Sequence, residues 1–402
     1  MNCASTATSG FSRVRLARPP SPTQNRTLLR RLGRLASLHP VSRPTREEQM
    51  PPDGKITELA PDVRRLQLPM SMPGLGHVNC YILDDDRGAA LVDPGLPGPA
   101  NWKALMAGLA EAEVPPERIH SIIVTHSHPD HFGAAGRFVR EYGADLVTHR
   151  TFRLWWDTAD EDEEALEQVS SDGENNELVA DPVHGGRDTG PGGPTPWGGQ
   201  RYKMPIRAKL GYWAMRNGWG GRWFATPQPT HHVEDADRIK LARREFVAVH
   251  TPGHTIDHLC LFDPEGGLMI CGDHVLPTIT PHISGITTAR DPLKDFFTSL
   301  DRVASFDGVT MGLPAHGQPF TDLSGRVEDI KRHHNERLDL LRTSSDRLGR
   351  APVQDYMKQL FKERSWGPMA ESETFAHLEH LRYIGEVSVS RRADDVLEYE
   401  FD

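Results

Sequence analysis

Four side chains able to bind a metal ion fall within six residues. His126, His128, Asp130 and His131 stand in the pattern H-x-H-x-D-H. They follow an apolar run, Ile122 to Val124, that predicts a buried strand. Gly133, Ala134, Ala135 and Gly136 come next, small enough for the following helix to pack closely on a sheet. Three imidazoles and a carboxylate suit a borderline-soft divalent ion, zinc above all, because neutral imidazole binds it without burying net negative charge. Adjacent residues such as Asp130 and His131 leave one turn in different directions, so this loop can serve two ions. The plain alternative is a solvated His-rich loop in a chain that holds 20 histidines among 402 residues.

The same arrangement recurs down the chain. The strand expected at Phe246–His250 ends in Thr251-Pro252-Gly253 and delivers His254. The strand Leu268–Cys271 ends at Gly272-Asp273. The strand Gly308–Leu313 is followed by Pro314-Ala315-His316-Gly317. Each time an apolar strand stops, a Pro or Gly turn follows, and a ligand-type residue appears. A sheet places functional groups in this way, on loops held by rigid strand ends. Scattered surface histidines would not show it.

The elements that must position these groups can be read in order. Val63–Leu68, His77–Leu83 and Ala89–Val92 have strand character, and ordered sequence is expected from about Ile56. Asp93-Pro94-Gly95 turns the chain into a helix over Asn101–Ala112. Asp93 is either a structural carboxylate bonding the loops under the site or simple turn chemistry. The strand 121–125, the ligand loop and a helix to about Tyr142 follow. Residues 152–240 break the rhythm. They hold Trp155 and Trp156, an acidic run from Asp160 to Glu164, a Gly/Pro-rich stretch over 183–200 and a basic aromatic patch. The patch comprises Lys203, Arg207, Lys209, Tyr212, Trp213, Trp219, Arg222, Trp223 and Phe224. Such an insertion reads as a lid or specificity segment, or as a small satellite core. Leu259–Phe262 is a strand, and Asp291–Val303 a helix.

Composition bounds the rest. The length suits two or three domains. The net charge of −10 argues against a general nucleic-acid grip. Mean hydropathy of −0.53 and the lack of a long apolar run argue against a membrane span. The four cysteines, Cys3, Cys80, Cys260 and Cys271, have no paired spacing, which suits a reducing compartment and gives no all-Cys zinc site. Residues 1–49 carry nine arginines and no lysine, with no acid before Glu47. Leu28, Leu32 and Leu35 line up as a basic amphipathic helix. This segment is read as a disordered or transit-like extension, dispensable for folding, with Met50 as an alternative start. A cytoplasmic location is expected, or an organellar one if the segment is a transit peptide.

These residues resemble the metallo-β-lactamase-fold hydrolase superfamily. His126-x-His128-x-Asp130-His131, His254, Asp273 and His316 match its two-metal set in order. The turns Thr-Pro-Gly-His-Thr, Cys-Gly-Asp-His and Pro-Ala-His-Gly match as well, over roughly residues 56–320 outside the insertion. The resemblance implies an α/β fold, the four-layer αββα sandwich, within a catalytic domain over 50–320. It also implies that His126, His128 and His254 hold one ion, that Asp130, His131 and His316 hold a second, and that Asp273 bridges both. The cofactors expected are two divalent ions, zinc first, with iron or manganese as alternatives. A bridging hydroxide would be the nucleophile, and Asp130 would orient it and pass a proton to the leaving group. Zinc β-lactamases of the commonest type resemble one another in having Cys where Asp273 stands. Asp273 instead looks like the thioesterase, lactonase and nuclease branches, although the glutathione-binding pattern of glyoxalase II is not found. The function expected is therefore hydrolysis of a small thioester, ester or lactone, with an endoribonuclease of the same fold as the alternative.

Residues 321–402 read as three helices, near 326–348, 353–363 and 370–385, and a hairpin over 386–391 and 396–401. They look like a winged-helix-like α+β domain similar to those that end β-lactamase-like endoribonucleases. Asp394, Asp395, Glu398, Glu400 and Asp402 crowd the wing, so packing against the catalytic domain or a homodimer contact is favoured over nucleic acid as partner. His231, His232, His258, His274, His282, His333 and His334 are read as surface or packing residues, with His274 the one expected to line the cleft.

Overall fold

The computed structural model describes residues 46–72, 74–154, 195–199, 206, 210 and 227–402. The expected patch over 203–224, apart from two isolated positions, the acidic run and residues 1–45 lie outside the described residues.

The first sheet has seven strands in sequence order. They are β1 (Ile56–Ala60), β2 (Val63–Met72), β3 (Leu75–Asp85), β4 (Gly88–Val92), β5 (Ile119–Ile123), β6 (Asp145–His149) and β7 (His231–Val233). Pairing is antiparallel through β4 and parallel from β4 to β7. The helix α1 (Pro99–Glu111) makes the β4–β5 crossover. The short α2 (Pro129–Phe132) and α3 (Ala135–Tyr142) make the next. The second sheet holds β8 (Arg238–Leu241), β9 (Arg244–His250), β10 (Leu259–Asp263), β11 (Leu268–Gly272) and β12 (Met311–Pro314), in the order β12-β11-β10-β9-β8. The helix α4 (Pro292–Ala304) connects β11 to β12, a parallel pair.

Alternation along the strands makes the layers. Side chains of a strand point to opposite faces with period two. Tyr81, Leu83, Ala90 and Val92 of the first sheet pack with Ala248, Leu259, Leu261, Leu268 and Ile270 of the second. Their neighbours Val78, Cys80, Ile82, Ala89 and Leu91 face Trp102, Leu105 and Leu109 of α1 and Phe138 of α3. On the far side, Cys260, Phe262, Met269 and Cys271 face Leu293, Phe296, Leu300 and Val303 of α4. The result is the αββα sandwich.

The remaining elements are α5 (Leu323–Leu348), β13 (Ala351–Pro352), α6 (Val353–Leu360), α7 (Pro368–Tyr383), β14 (Val387–Arg391) and β15 (Leu397–Phe401). The three strands form a small sheet of order β13-β15-β14. Val327, Ile330, Leu338 and Leu341 of α5 and Phe375 and Leu378 of α7 join the same core as α4 and the second sheet. Among the described residues, no helix is long and apolar enough to cross a membrane.

Three expectations shift. The ligand loop leads into two helical pieces rather than one, split at Gly133, where an added Cβ would sit 2.1 Å from Pro97 N. β1, β6, β7 and β8 were not foreseen, the last two being short and polar. Order begins before Ile56: a 3-10 turn spans Glu47–Gln49 and Glu48 is fully buried. Its carboxylate accepts the amides of Thr278 at 2.7 Å and Ile279 at 3.1 Å. Glu47 accepts the Gln318 amide, and Met50 O accepts His77 Nδ1. The segment is therefore a strap over two loops that carry or adjoin ligands, and a start at Met50 would remove much of it. The insertion also returns to the core. Trp197 is fully buried, its Nε1 donates to Glu371 at 3.0 Å, and its carbonyl accepts the Leu397 amide.

Removing the Glu48 carboxylate takes the acceptor from two half-buried amides, a cost of about 1 kcal/mol. A chain begun at Met50, and the variant Glu48→Ala, are each expected to melt a few degrees below a chain begun at Arg46 in scanning calorimetry. Equal melting temperatures for all three would show that the strap carries no stability.

Candidate metal centre

The ligand loop is fixed from beneath by Asp93. β4 and β5 are parallel neighbours and end side by side, so the residue after β4 reaches the loop after β5. Asp93 Oδ1 accepts the Thr125 amide at 2.9 Å. Its Oδ2 accepts Thr125 Oγ1 at 2.7 Å and His131 Nδ1 at 2.8 Å. The structural-carboxylate reading of Asp93 is thus the observed one. Pro129 opens α2 at a position where a missing N–H costs nothing, and the single turn carries Asp130 and His131 inward.

The other residues arrive from the second sheet. His254 sits in the turn after β9, and its Nδ1 donates to His282 O at 2.7 Å. His316 follows β12, and its Nδ1 donates to His77 O at 2.7 Å. Asp273 follows β11, where Gly272 takes a φ of +50°. A Cβ at Gly272 would lie 2.6 Å from His258 Nε2. That nitrogen accepts the Asp273 amide at 3.0 Å, while Nδ1 of the same ring bonds Thr251 Oγ1 at 2.7 Å. In His131, His254 and His316 a hydrogen bond fixes a proton on Nδ1, so Nε2 is the nitrogen turned to the other groups.

All seven predicted residues come together, in two groups. One comprises His126, His128, His254 and Asp273; the other Asp130, His131 and His316, with the ligand atoms of each group within 4.8 Å of one another. His128 Nδ1 lies 2.9 Å from His126 Nε2 and 3.1 Å from His254 Nε2. Asp130 Oδ2 lies 3.4 Å from both His131 Nε2 and His316 Nε2. Asp273 faces both groups: Oδ2 is 3.6 Å from His254 Nε2 and 3.7 Å from His131 Nε2, and Oδ1 is 3.3 Å from His316 Nε2. His131 Nε2, His316 Nε2 and Asp273 Oδ1 are buried and make no hydrogen bond. Buried polar atoms left this way and aimed at common points fit divalent cations.

The electrostatics divide likewise. Burial, helped by the neighbouring imidazoles, pushes His126 well below its ordinary value and His128 down to about 3. Burial also lowers His254, against the pull of Asp273. These rings are neutral and ready to bind a cation. At His316 burial acts downward, but Asp273 and Asp130 outweigh it and raise the ring to about 10. His131 is raised for the same reason by Asp130, Asp93 and Asp273. Burial would raise Asp130 and Asp273, and His131 and His316 hold both low instead.

Sequence reasoning missed the residues that hold the ligands. His258 was read as packing, yet it anchors Asp273. His282 and His77, whose carbonyls accept His254 Nδ1 and His316 Nδ1, were missed. His274 does not line the cleft. Gly272 turns the chain so that Asp273 faces the loops, and the fully buried His274 ring packs 5.1 Å from the ring of Phe296 on α4.

A family model for the metallo-beta-lactamase superfamily matches residues 73–316, and the chain belongs to that superfamily, whose members include hydrolases. A metallo-beta-lactamase family protein of Thermus thermophilus is 28% identical with a TM-score of 0.65, covering 86% of this chain and 100% of that one. A beta-lactamase domain protein of Burkholderia ambifaria, 22% identical with a TM-score of 0.62 over 87% of this chain and 96% of that one, shares the fold. A lactamase-like protein of Penicillium aethiopicum is 34% identical over 26% of this chain and 31% of its own length. An atrochrysone carboxyl ACP thioesterase of Aspergillus novofumigatus is 33% identical over 25% of this chain and 30% of its own. The chain spans about a third of the length of these curated relatives.

Two outcomes are expected. Asp273→Ala should lower the divalent-metal content found by elemental analysis and lower activity by orders of magnitude; unchanged metal content with near-normal turnover would overturn the shared role of Asp273. In chelator-treated protein, the His316 interaction is worth most below its ordinary pKa of 6.5 and is lost as pH rises through about 10. The melting temperature of that metal-free form should therefore fall from pH 6.5 to pH 10, and this fall should shrink in His316→Gln. The same slope in both would place the titration elsewhere.

Proposed function

We propose that this enzyme binds two divalent ions and hydrolyses a small thioester, ester or lactone. The observation that supports it most directly is the Asp273 carboxylate, which has one oxygen turned to His254 and the other to His316. His126, His128 and His254 would hold the first ion and Asp130, His131 and His316 the second, with Asp273 shared. When bound, such ions polarise an acyl oxygen and lower the pKa of a water toward neutrality. Imidazole-rich groups favour zinc, and metal analysis separates it from iron and manganese.

The chain's own residues supply the rest. Asp93 locks His131 and the Thr125 backbone, so the ligand loop need not reorganise during reaction. Asp130 is kept ionised by His131 and His316, with Oδ2 turned to both rings. We assign to its other oxygen, Oδ1, the orientation of the attacking water and transfer of a proton to the leaving group. The absence of a cysteine at 273 separates the site from the commonest β-lactamases, and the thioesterase among the relatives supports an acyl substrate. We read α5 to β15 as a winged-helix-like unit whose task is packing. Its helices share their core with the second sheet, and acids line its wing.

A panel of acyl thioesters, esters, lactones, a β-lactam and RNA, run with the zinc-loaded enzyme, tests the reading. Turnover is expected on thioesters or lactones and should be abolished by chelation. Cleavage of RNA alone, with binding that falls steeply with salt, would replace the acyl-hydrolase reading with the nuclease one.

A further inference from the structure

Three consecutive residues near the start of α7 reach three different segments of the chain. Glu371 accepts Trp197 Nε1 from the insertion. Ser372 Oγ accepts the Gly285 amide at 2.9 Å. Glu373 is buried between α5 and α7, paired with Arg337 of α5, and its Oε2 lies 3.4 Å from His282 Nδ1. His282 belongs to the stretch between β11 and α4, which has no regular secondary structure of its own. It is the same residue whose carbonyl accepts His254 Nδ1 at 2.7 Å. One residue is thus gripped at its side chain by the C-terminal helices and grips a metal-ligand imidazole with its backbone.

The direction of that carbonyl decides which nitrogen of His254 carries the proton and where Nε2 points. A loop without a ladder of backbone hydrogen bonds does not fix a carbonyl by itself. Arg326 holds it upstream, through Leu276 O and Ile279 O. Downstream the hold is Ser372 and, at His282 itself, Glu373. A carboxylate buried there is costly unless paired, and Arg337 satisfies that need. The pair in turn presents Glu373 Oε2 to the His282 ring as a fixed acceptor.

We propose that Glu373 is a positioning residue for His254, acting through His282, so that the C-terminal helices set the affinity of the first ion. The proposal rests on the reading of His126, His128 and His254 as ligands of one ion. Changes in residues that orient a ligand imidazole lower metal affinity by roughly 10–100-fold, and a contact one bond further out should lie near the lower figure.

The test titrates metal-free full-length protein with Co²⁺, whose visible spectrum distinguishes an ion held by three imidazoles from one held with Asp130, and with Zn²⁺ against a chromophoric chelator. Glu373→Gln and His282→Ala should each weaken the three-imidazole ion about tenfold and leave the other ion unchanged. The double variant should be no weaker than either single. His282→Asn, whose amide can place a donor near the position of Nδ1, should recover affinity. His282→Ala should melt with the unaltered protein in the metal-free state, which separates orientation from loss of fold. Wild-type affinity in both single variants, or additive losses, would overturn the proposal while His254→Ala still removes that ion. If His254→Ala keeps both ions, the ligand reading fails and the proposal falls with it.

Discussion

The arrangement depends on one buried carboxylate set among imidazoles. Asp273 has lost nearly all contact with water, and an ionised carboxylate in that position is strongly disfavoured unless positive charge stands close by. Protonated His131 and His316 supply it in the absence of metal, and divalent ions replace those protons when bound. Either way the loops after β5, β9, β11 and β12 must converge on Asp273 to neutralise it. That electrostatic demand ties together loops from two sheets that also meet through a shared apolar core and through hydrogen bonds such as Tyr81 OH to Pro314 O and the Leu259 amide to Thr125 O. It also explains why the amide of Asp273 is held by His258: a shared carboxylate must not rotate, or one of the two groups loses its partner.

Rigidity is supplied by a repeated device. His131, His254 and His316 each donate Nδ1 to an oxygen, from Asp93, His282 and His77 respectively. The bond sets the ring plane and keeps a proton on Nδ1, so Nε2 is the nitrogen presented to the site. His128 turns its Nδ1 to the site instead, which is why it can stand next to both His126 and His254 while being only two residues from the former. The supporting oxygens come from two loops and from strand β3, so the precision of the site is a property of the sheets rather than of the H-x-H-x-D-H sequence itself.

The convergence of the seven residues was legible in the sequence because their types are rare and their positions follow strand ends, and continuous apolar runs such as Leu268–Cys271 mark those ends. The layers were legible for the same reason. What supports the ligands was not. A backbone carbonyl such as His282 O has no sequence signature, and His258 looks like any other histidine in a chain that has many. Glu48 was hidden by the arginine-rich composition before it, which made the whole segment read as an extension. Trp197 was hidden in a Gly/Pro-rich stretch, where one large aromatic residue gives no periodicity. β7 and β8 were missed because edge strands with exposed faces need few apolar residues.

The buried contacts at the two ends of the described chain change how its parts should be divided. A unit that merely follows a catalytic domain would have its own core, with a boundary where few contacts cross. Here the core beneath the second sheet continues without a break through α4, α5 and α7. From one end, Glu48 holds Thr278 and Ile279; from the other, Ser372 and Glu373 hold Gly285 and His282. The loop between β11 and α4 is therefore clamped upstream by the strap and downstream by the C-terminal helices, with the His254 contact at its downstream end. Length and loop irregularity would ordinarily make such a segment the mobile rim of a cleft. Clamped at both ends, it can serve as a fixed wall, and the freedom that substrate entry requires must lie in other loops around the metal groups.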